Sequence, residues 1–441
     1  MRPSSRTSSL VLTAAVASLA LLATACGGSG ADSADAGTGT AEKPVEITYW
    51  SWQPGTKEMT EEFNRTHKTI RVVHSEIPAG LNGGYDKIAK AVKAGNAPDV
   101  VNAEYQAIPD LVTQGLLRDS TAELGETVKS APESVRGLVT LGGKTWGAPF
   151  DVGPQTLYYR TDLFEKYGVE VPRTWDEFRT AAEKVKSASK GEARILDFWG
   201  DDVATWAGLA QQAGAHWYGT EGDAWKVSID DAATRKVADY WKDLVEKDLV
   251  LNHKGWSPEA TKAVTDSKAI ALLGASWSGG GIKTTYPKLA GKWAEAPLPN
   301  WGTPATGAVG GSSFALTKGT EKAKAAAEFV IWATTDPAAV KARLATGTSS
   351  ALPANEALRS AAKDTFDTEF YGGQDIYAVA SAQVPTIVKG WSWSPVHNST
   401  SLTLQNELGK AQKTGEFWPA FQAAQAAAEK GITDRGLMLA E

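Results

Sequence analysis

The chain has 441 residues, 42% hydrophobic and 22% charged, which is apolar material for two or three domains of about 100–200 residues each. A formal charge of −6 and a pI near 5.6 argue against nucleic-acid binding, because a protein that neutralises phosphates needs clustered surplus Lys and Arg. One cysteine, Cys26, rules out an internal disulfide, and five histidines without an HExxH motif make a metal centre improbable, so no cofactor is expected.

The elements begin with an address. Arg2 and Arg6 precede an apolar run at 10–22 (LVLTAAVASLALL), too short to span a bilayer but suited to a signal-peptide core. The run ends at Ala23-Thr24-Ala25-Cys26, with small residues before the only cysteine. This predicts a signal peptide over 1–25 and lipidation at Cys26, a bacterial lipoprotein start. Residues 27–43 have almost no apolar bulk and read as a flexible tether of roughly 20–25 Å. A lipid anchor is then the expected attachment to the outer face of the cytoplasmic membrane.

From residue 45 strands and helices alternate. VEITYWSW (45–52), IRVVHSEI (70–77) and PDVVNAEY (98–105) read as strands. Helical patterns lie at 56–68, 84–94 and 107–115. This alternation predicts a parallel, doubly wound sheet with ligand beyond the carboxyl ends of its strands. Trp50, Trp52, Glu104 and Tyr105 fall at such ends. Thr174-Trp-Asp-Glu177 is a capping box opening a helix to about 188. Residues 230–248 carry one apolar stripe, and Ser257-Pro258-Glu259 starts another helix. AIALLG (269–274) reads as a buried strand. Residues 297–311 carry several Pro and Gly and read as a crossover. Helices are expected at 321–334, ending before Asp336-Pro337, and near 400–413 and 417–430.

Two motifs fail. GGKT at 142–145 lacks the first glycine of a phosphate loop, since Leu138 stands there, and GASWS at 274–278 has Ser278 where a nucleophile elbow needs Gly. Asp201 and Asp202 are adjacent acids, and Asp201 is taken as a ligand-facing one. The 17 Trp outnumber the 11 Tyr and the 11 Phe. Trp175, Trp241 and Trp332 lie at helical positions and read as core. Trp277 follows a buried strand and precedes Gly279-Gly280-Gly281, which should leave it exposed. Trp391 and Trp393 share KGWSWSPV (389–396), and Trp50 and Trp52 alternate on the first strand. Indoles at strand ends suit the C–H face of a sugar ring, whose hydroxyls need acids, amides and backbone groups.

Residues 146–178 (WGAPFDVGPQTLYYRTDLFEKYGVEVPRTWDEF) resemble the signature of extracellular solute-binding proteins of bacterial ABC importers, the carbohydrate-binding group related to maltose-binding protein. ITYWSW at 47–52, NAPDVV at 96–101, GGSSFALTKG at 310–319 and AAAEFVIWAT at 325–334 extend the similarity. The resemblance implies a two-lobed α/β fold of the periplasmic-binding-protein type, each lobe a doubly wound sheet flanked by helices, with several hinge crossings. Lobe 1 would be 44–155 plus 306–349, and lobe 2 would be 156–305 plus 350–441. A carbohydrate would bind between the lobes without catalysis, and a monomer would deliver it to membrane permease subunits served by a cytoplasmic ATPase. The matching positions give Trp277, Trp391 and Trp393 stacking roles. Glu104 and Asp151 would supply polar groups, and Gly311 and Ser312 would edge the cleft. Two other readings compete: a binder of a non-sugar solute, which would want an arginine clamp, and a secreted glycoside hydrolase, which would need two carboxylates across a bond.

Overall fold

The computed structural model describes residues 39–440. The apolar run at 10–22, Cys26 and the tether up to residue 38 lie outside the described residues. The last tether residues turn back onto the body: the Gly39 N–H donates to the Thr69 carbonyl (3.1 Å) and the Thr40 N–H to the Lys43 carbonyl (3.1 Å). Among the described residues no helix is long and apolar enough to cross a membrane.

Two sheets organise the chain. The first has five strands in the order Ile70–Glu76, Val45–Ser51, Val100–Glu104, Ser312–Leu316 and Ala148–Pro149. Its first three are parallel, because the helices Thr56–Thr66 and Gly84–Lys93 return the chain between them. The alternation expected from residue 45 is therefore present. Ser312–Leu316 arrives from far along the chain and runs antiparallel, with Ser312 opposite Glu104. The second sheet has three strands, Ala271–Ala275, Gln155–Arg160 and Trp293–Pro297, paired antiparallel throughout.

Both sheets are covered on two faces, as strand alternation requires. In the first, Ile47 and Tyr49 pack with Phe63 and Phe329, while Val101 and Ala103 pack with Ile88 and Leu111. In the second, Leu157 faces Trp206 and Trp241, and its neighbour Tyr158 faces Tyr371 and Trp293. The result is two lobes. The chain passes between them at 150–154, 298–311 and again after Leu344. The crossings pair with each other: Pro154 with Ala308, and Asp151 with Pro353. Backbone bonds from Val309 N–H to the Gly153 carbonyl (2.8 Å) and from Val152 N–H to the Leu352 carbonyl (2.9 Å) bind them into one hinge.

Local chemistry sets the helix starts. The Thr174 hydroxyl accepts from Glu177 N–H (3.1 Å) at the head of Trp175–Ala188, and the Ser257 hydroxyl accepts from Ala260 N–H (3.1 Å) before Pro258–Thr265. Asp336-Pro337 ends one helix, Ala323–Thr335, and also caps the next, Pro337–Leu344, through Ala338 N–H (2.8 Å). Trp175, Trp241 and Trp332 are buried, as their helical spacing predicts. Trp241 stacks on Phe198 with centroids 3.8 Å apart and planes 4° from parallel.

Candidate functional site

Parallel strands end on the same edge of a sheet. Val45–Ser51 therefore delivers Trp52 and Gln53, and Val100–Glu104 delivers Glu104, to one edge of the first sheet. Ser312–Leu316 is antiparallel and so starts at that edge. Gly311 makes the turn possible, with φ +89°, and a Cβ there would lie 2.6 Å from the Tyr105 ring. The crossing at Asp151 passes the same place. These residues form one wall of a cavity of about 270 Å³, and Trp256, Trp277 and Ser278 of the second lobe form the other. A second cavity of about 230 Å³ continues into the second lobe, lined by Trp199, Asp202, Thr205 and Tyr286, among others. The two share Trp256, Trp277, Ser278 and Gly281.

The polar groups are held before any ligand arrives. Glu104 accepts from the Tyr85 hydroxyl (2.6 Å), and burial holds its carboxyl above the usual carboxylate range. Asp151 accepts from Ser312 N–H (2.7 Å), and the Gln53 amide donates to the Ser312 hydroxyl (3.0 Å). Burial pushes Asp151 up to about 6, against the opposing pull of Ser312 N–H and the Arg343 charge. Arg343 is itself buried, with its guanidinium 4.0 Å from the Phe150 ring centroid. Asp202 caps the helix Val203–Gln212, accepting from Ala204 N–H (3.2 Å) and the Thr205 hydroxyl (2.7 Å). Burial, with Asp201 adjacent, raises its pKa. Among the described residues no cluster of His, Cys, Asp and Glu could hold a metal.

Six of the eleven residues expected at the site meet in the 270 Å³ cavity: Trp52, Glu104, Asp151, Trp277, Gly311 and Ser312. The others stand elsewhere. Trp50 and Trp52 do not share a role, because the strand ends at Ser51. Trp50 lies under the Lys87 ammonium (4.9 Å) and lines neither cavity. Tyr105 is buried, and its hydroxyl donates to the Asp151 carbonyl (2.6 Å), so it supports the crossing from behind. Asp201 turns away and accepts from Gly255 N–H (2.8 Å), and its neighbour Asp202 faces the second cavity. Trp391 and Trp393 are core in place of cleft, 9% and 7% exposed, packed edge-on to each other at 5.3 Å. With Tyr105 they line only a gap of about 10 Å³.

Trp277 is half-buried, contrary to the expected exposure. Its indole N–H donates to the Val309 carbonyl (2.9 Å), and the three glycines after it form a helix, Ser278–Thr285. The helix needs glycine at 280 because a Cβ there would meet the Thr348 carbonyl at 2.6 Å. The Ser278 hydroxyl accepts from Ala275 N–H (3.0 Å), a turn contact and not a nucleophile's. Sequence reasoning missed Gln53, Trp199, Asp202 and Trp256. Only Trp256 had a legible signal, its place in a Gly-Trp-Ser-Pro turn before a helix cap.

The lobes also meet outside the crossings. Asp110, in the short helix Ile108–Thr113 after the third strand, accepts from Asn398 N–H (2.8 Å) and Arg435 Nη1 (2.7 Å). Thr113 donates to the Pro395 carbonyl (2.9 Å).

Residues 49–340 match the family described as bacterial extracellular solute-binding protein. The chain is 27% identical to a lactose-binding protein of Rhizobium radiobacter, over 66% of this chain and 71% of that protein. It is 24% identical to the diacetylchitobiose-binding protein DasA of Streptomyces coelicolor, over 80% and 83%. Among solved structures it resembles the galacto-N-biose/lacto-N-biose I-binding protein of a Bifidobacterium longum ABC transporter, in complex with lacto-N-biose. That likeness has a TM-score of 0.80 and 26% identity, and covers 90% of this chain and 99% of that one. An ABC-transporter-associated binding protein from B. animalis subsp. lactis, in complex with β-1,6-galactobiose, gives 0.77 and 25%, covering 90% and 100%.

Proposed function

This chain belongs to the bacterial extracellular solute-binding proteins, and we propose from that premise that its interlobe cleft captures a carbohydrate and delivers it to the permease of an ABC importer. The observation that carries the reading is the pairing of opposite walls in one cavity. Trp277 offers a flat apolar face from the second lobe, and Glu104, Asp151, Gln53 and Ser312 offer hydrogen-bonding groups from the first. A sugar ring has that same division, C–H groups on its faces and hydroxyls at its rim. The relatives named for lactose and diacetylchitobiose support the same class of ligand.

Trp52 and Trp277 are the apolar contacts in this reading, and Glu104 and Asp151 accept hydroxyl protons. Both acids are placed for recognition, and no turnover follows binding. The lobes are 44–155 plus 306–349 and 156–305 plus 350–441, moving about the three paired crossings. The mature protein is a monomer held by an acylated Cys26 on the outer face of the cytoplasmic membrane, with the segment after it as tether. A cytoplasmic ATPase supplies the energy of uptake.

A thermal-shift screen of the purified protein against mono- and oligosaccharides tests the assignment. A sugar present at 100 times its Kd adds about 2.7 kcal/mol to folding, a shift of several degrees. A flat response across sugars, with a clear shift by an amino acid or peptide, would replace the carbohydrate by another solute. Release of reducing ends would replace binding by hydrolysis.

A further inference from the structure

We propose that the ligand spans both cavities with at least two sugar rings, and that Trp256 is the specificity-determining residue that holds the second ring. The proposal rests on the carbohydrate reading above and deepens it to ligand length.

Size is the first ground. An apolar cavity of about 150 Å³ is enough for benzene, a bare six-membered ring. Cavities of about 270 and 230 Å³ each have room for one ring with its hydroxyls. They share Trp256, Trp277, Ser278 and Gly281, so they adjoin as two compartments of one site.

The state of Trp256 is the second ground. It is 69% exposed and its φ is +59°, a left-handed backbone that disfavours bulky side chains. An apolar residue just before a helix cap commonly packs on the fourth helical residue. Here that residue is Thr261, which offers no apolar partner, and the indole remains in water. Its one ring neighbour among the described residues is Trp199, at 4.8 Å and 54°, which itself lines the second compartment. Exposure and backbone strain thus go uncompensated within the described residues, and a sugar face between Trp256 and Trp277 compensates both.

The third ground is the chemistry of the second compartment. Asp202 and Thr205, joined by a hydrogen bond (2.7 Å), are polar residues of its lining. The Trp199 indole N–H is buried with no hydrogen-bond partner among the described residues. A hydroxylated ring supplies acceptors and donors for these groups, which a bare apolar ligand does not.

Isothermal titration with galactose, glucose, lactose, maltose, N,N′-diacetylchitobiose and maltotriose tests the proposal on wild type, Trp256→Gly and Trp256→Asn. Both replacements tolerate the left-handed backbone, so ligand-free melting temperatures should equal or exceed wild type. Wild type should bind its preferred di- or trisaccharide at least about 30-fold tighter than either monosaccharide, and both variants should lose most of that advantage, with oligosaccharide affinity falling by a larger factor than monosaccharide affinity. Equal wild-type affinity for mono- and disaccharides, or unchanged oligosaccharide affinity in both variants, would overturn the two-compartment site and leave the carbohydrate reading standing. Wild-type binding to none of the six sugars would overturn the carbohydrate reading itself.

Discussion

The second lobe uses tryptophan in two different ways. In its core, Trp175, Trp206 and Trp217 are buried, and each indole N–H has a partner: Gln212 (2.8 Å), the Gly200 carbonyl (2.9 Å) and Thr234 (2.8 Å). At the cavities, Trp256 is open to water, Trp199 has an unpartnered N–H among the described residues, and Trp277 is half-buried with its N–H on the Val309 carbonyl of a crossing segment. These three core indoles are satisfied at both the ring and the nitrogen, whereas the buried Trp293 and Trp391 have no partner for theirs among the described residues. The cavity indoles keep part of each unspent. Exposed ring surface inside a cavity, more than the abundance of tryptophan or an unpartnered N–H, marks where a ligand belongs.

The comparison breaks most sharply on stability. Trp241→Ala removes a fully buried ring stacked on Phe198 and should cost about 3–5 kcal/mol of folding free energy. Denaturant unfolding measures the loss, and titration of the protein that remains folded should return the wild-type sugar Kd. A large change in Kd would mean that the core and the site are not separable.

Trp277→Ala should act the other way. Losing its face from a partly buried contact at ~25 cal/mol/Å² weakens binding by roughly 2–4 kcal/mol, about 30- to 1000-fold. Its bond to Val309 adds a smaller stability loss of about 1 kcal/mol. Measuring melting temperature and Kd on the same sample separates the two. A strongly destabilised variant with unchanged Kd would move Trp277 into the core class.

The smallest effect concerns the facing wall. Asp151 has its pKa pushed up to about 6, so it is mainly ionised at pH 7 and gains a proton as pH falls through 6. The ionised form is the stronger acceptor, so sugar affinity should fall between pH 7.5 and 5, by at most about tenfold. Asp151→Asn should bind weakly at both values, with a flatter profile. The sign reverses for folding. A carboxyl whose folded pKa lies above its unfolded value of about 3.9 adds most to stability at low pH, and that contribution fades as pH rises through 6. Binding and stability should therefore respond to pH in opposite directions at this residue. A wild-type profile that is flat, or parallel to Asp151→Asn, would remove Asp151 from the binding groups.

Much of the architecture was legible because it rests on local rules. Strand–helix alternation predicted the parallel half of the first sheet. Thr174, Ser257 and Pro258 marked helix starts by capping chemistry alone. Glu104 was legible as a strand-end residue, since strand direction decides which edge it reaches, while Asp151, Gly311 and Ser312 were legible only through the family resemblance. The antiparallel second sheet was not legible, because its central strand, Gln155–Arg160, is more than a hundred residues from both of its partners. Trp391 and Trp393 misled for a related reason: a short polar-flanked segment looks like a loop, and only the packing of Trp217 and His397 against it makes it core.

By itself, then, the sequence determined the α/β class, the helix caps, the strand ends that supply the first wall, and the resemblance to solute-binding proteins. The first three follow from composition, or from residues within one or two turns of one another, and the last from motifs spread along the chain. Tertiary structure alone decided which indoles face the cavities, which of two adjacent acids at 201 and 202 does so, and that two compartments share Trp256. Those choices depend on where segments distant in sequence come to lie. A side chain's exposure is set by neighbours that its own segment does not encode.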